Sequence, residues 1–243
     1  RLEQKLAQRR NMSQTLNGCV EVARVAQVQQ SAHPLRGKAR VISKSKMEAH
    51  PIYDKWAPII NAHKNKPGTE IEIRFGRSAR GGFDTNVGPQ TFQKVLRALE
   101  RYDGWEDKKH IKSTVYYFEG SKRLTVDDET DEQVGQIKKR VRVDDFVLEG
   151  KPLDVRLGVS TEEPFEYDGE ETSTEQKTKE RWSFVRKNLS IDLSIVKGNP
   201  DDPDSDEDTT YQIELEIIKP ELVNDQDTMY NLLYKIFDLL KCV

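Results

Sequence analysis

Two short segments place carboxylates two residues apart: Glu70 with Glu72 within 69–75, and Glu214 with Glu216 within 210–218, where Gln212 precedes the pair. Two others do the same with cations: Lys177, Lys179 and Arg181 within 177–186, and Lys138, Arg140 and Arg142 within 134–143. On a β-strand, residues two apart share a face and lie roughly 7 Å from each other. Like charges held that close raise each other's pKa and destabilise the fold unless a cation sits between them. A hard divalent metal with oxygen ligands resolves such a clash. The cationic rows suit phosphate oxygens. Acid rows that call for a metal and base rows that call for phosphate together describe the handling of a polyphosphate.

The elements that must carry these rows are strands. From Thr69 to about residue 218 the apolar pattern keeps returning to period two, which predicts strands over 69–75, 113–118, 121–126, 134–143, 153–162, 177–186, 189–196 and 210–218. Glu119-Gly120 reads as a hairpin turn between two of them. Each strand has an apolar face opposite its charged one. Ile71, Ile73 and Phe75 oppose Glu70, Glu72 and Arg74; Val155, Leu157 and Val159 oppose Asp154, Arg156, Ser160 and Glu162; Ile191, Leu193 and Ile195 oppose Asp192 and Ser194. Trp182 and Phe184 point away from the 177–181 cations. An ordinary antiparallel sheet would turn those charges into solvent, and Arg140 and Arg142 read either way. The faces are nevertheless sorted by sign, whereas surface faces usually mix signs. Folding the sheet so that the polar faces meet gives a closed antiparallel β-barrel tunnel with flanking helices, mostly β (α+β), whose apolar rows point outward to form the core. Unpaired charge inside it would cost several kcal/mol per ion. The lumen is therefore expected to hold water, metal and a triphosphate.

Two amphipathic helices are expected against the outer rows. Residues 89–102 carry Phe92, Val95, Leu96 and Leu99, and residues 226–241 carry Met229, Leu232, Leu233, Ile236, Phe237 and Leu240. The barrel domain is expected over 67–243, after a basic helical or flexible arm, 1–66. That arm holds thirteen Lys and Arg against four Asp and Glu, +9, while the other 26 basic and 38 acidic residues give −12. Helices are expected within 1–30, a basic linker over 31–47, and a short helix carrying Ile52, Trp56, Ile59 and Ile60 with Pro58 as a kink. The arm reads either as an RNA- or DNA-binding extension or as a solvated tail. His33, His50, His63 and His110 lack ligand spacing and read as surface residues; the acidic run 201–208 reads as a solvated loop. Cys19 and Cys242, near opposite ends, form no metal or disulfide spacing, so a reducing intracellular compartment is expected. No stretch approaches eighteen consecutive apolar residues, so no spanning helix and no membrane partner are expected. The chain opens on Arg1 and is expected to be a fragment or a processed form.

Thr69-Glu70-Ile71-Glu72-Ile73-Arg74-Phe75-Gly76 resembles the first metal-binding strand of the metal-dependent RNA triphosphatases of mRNA capping. These enzymes of fungi, protists and large DNA viruses belong to the triphosphate tunnel metalloenzymes. The Arg-Phe-Gly tail is more like this branch than the thiamine-triphosphatase and adenylate-cyclase branch. Gln212-Ile213-Glu214-Leu215-Glu216 is similar to the last acidic strand, with Gln212 where the family often has a first Glu. Lys177-Thr178-Lys179-Glu180-Arg181 resembles the alternating basic strand. The stretch from Asp154-Val155-Arg156 to Ser160-Thr161-Glu162 resembles the strand with an essential Arg and Glu. Lys122-Arg123-Leu124-Thr125 resembles the strand supplying a phosphate-binding Arg. Asp192 falls where the family has an acid beside the basic strand; Ser190 replaces an Arg often found there. The resemblance covers about residues 69–218, in the expected order.

The resemblance implies hydrolysis of the γ-phosphate of a 5′-triphosphate RNA end, giving diphosphate-ended RNA and phosphate, the first step of cap formation. It implies Mg²⁺ or Mn²⁺ held by Glu70, Glu72 and Glu216, with Glu214 acting through water. Arg123, Lys138, Arg140, Arg156, Lys177, Lys179 and Arg181 would neutralise the phosphates. Glu162 or Glu214 would orient the attacking water, and Asp192 would hold a basic neighbour in place. Alternatives are a nucleoside triphosphatase or tripolyphosphatase of the same fold, a non-catalytic RNA-binding module, and a structural barrel. Paired carboxylates repel RNA where a binder favours aromatic platforms, which counts against the pure binder. Guanylyltransferase and methyltransferase activities would lie on another domain or chain. The expected location is intracellular: the nucleus in a cell, or the virion or cytoplasmic replication site for a virus.

Overall fold

A computed structural model of the chain describes residues 44–198 and 209–243. The helices expected within 1–30, most of the basic linker, the acidic run 201–208 and Cys19 lie outside the described residues. In chain order the elements are α1 (Lys44–His63), β1 (Thr69–Ala79), β2 (Gly82–Asp84), α2 (Pro89–Glu100), β3 (Asp107–Phe118), β4 (Lys122–Asp127), β5 (Gln133–Phe146), β6 (Asp154–Pro164), β7 (Glu175–Arg186), β8 (Leu189–Lys197), β9 (Thr210–Ile217) and α3 (Gln226–Leu240).

Eight antiparallel strands run in the order β1-β6-β5-β4-β3-β7-β8-β9, and β9 pairs back onto β1. The sheet is thus a closed barrel; β2 only extends β1 as a hairpin. Closure removes the sheet's free edges. The outward apolar rows are the core, as the alternation requires. Ile71, Ile73, Phe75, Val155, Leu157, Ile191, Leu193, Ile213 and Leu215 are all buried and form one cluster with Phe92 and Leu99 of α2 and with Leu233 and Ile236 of α3. Burying each such side chain contributes about 1.5–3 kcal/mol.

Three features depart from the sequence reading. First, α1 is no part of a free arm. Ala49, Ile52, Trp56 and Ile60 are buried in the same core, and the Trp56 indole donates to Asp144 Oδ1 at 2.9 Å. An amphipathic stripe with one large aromatic anchors the helix although Pro51 and Pro58 lie inside it. Second, the hairpin turn expected at Glu119-Gly120 is present but one residue longer, spanning Glu119–Ser121, with Gly120 at φ 74° and Ser121 at φ 64°. Third, β5 carries a bulge between Arg140 and Arg142. Before it, Lys138 opposes Glu162 and Arg140 opposes Ser160; after it, Arg142 opposes the outward Val159, and Val143 opposes Gly158. One extra residue inverts the alternation. Arg142 therefore leaves the tunnel face, and Val143 and Asp145 take it.

Candidate active site

The strand register brings the acid rows together at the β1–β9 seam. Glu72 stands opposite Glu216 and Arg74 opposite Glu214. On the other flank of β1, Glu70 stands opposite Ser160, and Glu72 stands opposite Gly158. The glycine leaves room for that side chain: a Cβ there would lie 3.0 Å from Glu72 Oε1 and 3.2 Å from its Cγ, and the carboxylate would have to shift. On the far side of β9, Asp192 of β8 opposes Glu214 and also Ser183 of β7. The basic row of β7 follows, with Lys177 and Lys179 opposite Val115 and Ser113 of β3. Glu70, Glu72, Arg74, Arg123, Lys138, Glu162, Lys177, Lys179, Arg181, Glu214 and Glu216 all line one cavity of about 480 Å³ inside the barrel. The two signs therefore confront each other across an enclosed channel.

Paired charges fill this channel. Arg74 meets Glu72 at 2.8 Å and Glu214 at 3.0 Å. The Lys138 ammonium stands among three carboxylates: it pairs with Glu70, and lies 3.7 Å from Glu72 and 3.4 Å from Glu162. Arg123 donates to Glu162 at 2.8 Å and to Gln136 at 2.7 Å, and Gln136 donates to the other Glu162 oxygen at 3.0 Å. Arg181 lies 3.5 Å from Asp192 and 3.6 Å from Glu214. Asp192 is itself buried and accepts from Ser190 at 2.7 Å. It thus stands beside a tunnel cation, Arg181.

The environment sets the proton affinities apart. Burial alone would raise Glu70, but Lys138 and Ser160 hold it low; burial would likewise raise Glu214, but Arg74, Lys179 and Arg181 keep it well below the usual carboxylate range. Glu72 is pushed up by burial and by Glu214. Glu216 has no ion-pair or hydrogen-bond partner among the described residues, and burial with the nearby Glu70 and Asp192 pushes it up to about 7. Lys179 likewise has no side-chain partner among the described residues. Burial and the neighbouring Arg181 bring it down to about 8.

Two expected phosphate ligands are placed differently from this cluster, and a third is engaged within it. Lys177 lines the main cavity and pairs with Glu175 at 2.8 Å. Arg140 is exposed and lines a second cavity, about 310 Å³, that shares Glu72, Arg74, Tyr117, Arg123 and Lys138 with the first. Arg156 lines that side cavity too, but Asp145 holds its guanidinium through two contacts of 2.5 and 2.9 Å. Sequence reasoning passed over Gln136, Gly158 and Asp145. Gln136 lies two residues before Lys138 and so shares its face; that signal was present. Asp145 was hidden by the bulge.

Among the described residues no three His, Cys, Asp or Glu side chains converge in a metal cage. The cation among Glu70, Glu72 and Glu162 is the Lys138 ammonium. The donor chemistry nevertheless fits a hard divalent ion: carboxylates from adjoining strands with one, Glu216, left without a cationic partner.

Residues 106–235 match the family described as mRNA capping enzyme, beta chain, the mRNA triphosphatases. The match spans more than half of the chain, and the chain belongs to this family. The fold is that of S. pombe Pct1 RNA triphosphatase, with 15% identity, a TM-score of 0.63, and 86% of this chain and 95% of that chain covered. The Mimivirus capping enzyme triphosphatase is similar at 15% identity and a TM-score of 0.55, with 78% and 97% covered. No curated protein sequence matches. The protein is a barrel RNA 5′-triphosphatase of mRNA capping.

Proposed function

We propose that the tunnel hydrolyses the γ-phosphate of triphosphate-ended RNA with the help of Mg²⁺ or Mn²⁺ held by Glu70, Glu72 and Glu216, with Glu214 acting through water. The carrying observation is the opposition of Glu72 and Glu216 across the closing seam, with Lys179 and Arg181 facing them from β7. A bound divalent ion would supply charge stabilisation at the γ-phosphate oxygens. Lys179 has a free ammonium to give a phosphate oxygen, and Arg181 is oriented by Asp192 and Ser194. Arg123 and Lys138 complete the cationic lining, at present shared with carboxylates. Charge on the transferring phosphoryl group is met by donors already in place, and that accounts for the larger part of such catalysis. Glu162 accepts from Arg123 on one oxygen and from Gln136 on the other, so the carboxylate has a fixed orientation at the cavity wall, which suits its remaining lone pairs to position water.

The substrate partner is a 5′-triphosphate RNA end, and the diphosphate product suits a guanylyltransferase on the same or another chain. A trifunctional mimivirus mRNA capping enzyme contains a triphosphatase domain of this fold. The site of action would be intracellular: the nucleus in a cell, or the virion or cytoplasmic replication site for a virus. The test is phosphate release from triphosphate-ended RNA with and without divalent metal. Release that persists undiminished in chelator would remove the metal from the mechanism; no release under either condition would remove the activity.

A further inference from the structure

The tunnel face of β1 runs Glu70, Glu72, Arg74 and then Gly76, and across β6 the residue opposite Arg74 is Arg156. Gly76 marks a close approach. A Cβ there would lie 2.5 Å from the Phe83 ring and 2.1 Å from the Asp84 carbonyl oxygen, so the β1–β2 hairpin folds its return strand onto the tunnel side of β1. The Arg156 guanidinium carbon sits 4.7 Å from the Phe83 ring centroid. Asp145, turned inward by the bulge, takes the guanidinium edge in the bidentate grip described above. Arg156 lines the side cavity, and Phe83 is not among the residues lining it.

We propose that Arg156, gripped by Asp145 and backed by Phe83, is a stacking shelf for the nucleobase that follows the triphosphate, and not a phosphate ligand. Its charge is already matched by a carboxylate, and using it on phosphate would break two charge-assisted bonds. The side chain still lines the side cavity, and bases stack on guanidinium planes as on aromatic rings. Arg156 stands opposite Arg74, two residues or about 7 Å along the strand from Glu72, and its guanidinium reaches on from there toward Phe83. Stacking of this kind is tolerant of base identity, as capping of many transcripts requires. The inference rests on the triphosphate reading of the tunnel.

The experiment is equilibrium binding of ADP and of inorganic pyrophosphate, in the presence of Mn²⁺, to the full chain and to Arg156→Lys and Phe83→Ala, with melting curves to verify the fold. Phosphate release from triphosphate-ended RNA is measured alongside. The shelf requires wild type to bind ADP about 5-fold or more tightly than pyrophosphate. Arg156→Lys, which keeps the charge and loses the plane, should bring ADP down to the pyrophosphate level. Phe83→Ala should reduce the difference without weakening pyrophosphate. Equal binding of the two ligands by wild type overturns the shelf. So does a proportionate loss of both in Arg156→Lys, which would make Arg156 a phosphate ligand. Failure to release phosphate from RNA would instead count against the triphosphatase reading, whatever the ADP result.

Discussion

Glu72 and Glu216 occupy opposed positions across the pairing of β1 with β9, so two carboxylates from the first and last barrel strands meet where the barrel closes. Among the described residues only Glu72 of the two has cationic partners, Arg74 at 2.8 Å and Lys138 at 3.7 Å. That imbalance is what the proposed divalent ion would answer.

Glu72→Ala should lower metal-dependent phosphate release by about 100-fold or more while the melting temperature stays near wild type, because the side chain faces the lumen and not the core. Steady-state assays beside thermal melting check this. Unchanged activity would remove Glu72 from the site.

Glu216, pushed up to about 7, holds a proton at a pH where an exposed Glu has lost its own. A folded carboxyl with a raised pKa contributes stability below that range and loses it as pH rises from about 4.5 to 7. Without metal, stability should fall across this window by on the order of 1–3 kcal/mol, and Glu216→Gln should flatten the decline. Mn²⁺ affinity should rise over the same window as the carboxylate forms. Denaturant melts and metal titrations at pH 5, 6, 7 and 8 measure both.

Lys179, brought down to about 8, is an ammonium at neutral pH and loses its charge just above it. The KM for a triphosphate should therefore climb above pH 8. Lys179→Arg should postpone that rise beyond pH 9. A pH–KM profile with the same slope in both proteins would assign the limb to another group.

Gly158→Val would set a branched side chain against Glu72, where even a single Cβ comes within 3.0 Å of Oε1. Activity should fall by about 10-fold or more, with a smaller loss of Mn²⁺ affinity in Gly158→Ala. Phosphate release and metal titration would show it; wild-type kinetics in the valine variant would mean that Glu72 has room to spare.

Trp56→Ala should destabilise the barrel by about 3–5 kcal/mol, since the ring is fully buried beneath β5 and β6 and its indole donates to Asp144. Urea melts test this. A loss below 1 kcal/mol would make α1 an appendage.

Much of this site was legible because a strand's period is two. Glu70 and Glu72, Lys179 and Arg181, and Glu214 and Glu216 each announce a shared face, and the closed barrel follows from asking where such faces could meet. The period also misled, at Val141. A single extra residue there sends Arg142 outside and brings Asp145 in, and nothing in the local composition marks the slip. Arg156 was readable as a tunnel-side cation but not as one already engaged, because its partner lies beyond that bulge and its backing ring lies on a three-residue strand too short for any periodicity. The helix at 44–63 was visible as an apolar stripe, yet its membership of the core depends on contacts with β5, β6 and α3 that no local pattern encodes.

Because β1 closes on β9, the carboxylates at the seam are contributed by residues almost 150 positions apart. A nascent chain cannot assemble the centre until translation has passed Ile217. Every shorter intermediate lacks Glu214 and Glu216 at the seam and keeps an open sheet edge. Maturation is therefore an all-or-nothing event, and a ribosome-stalled product would be both inert and prone to aberrant strand pairing.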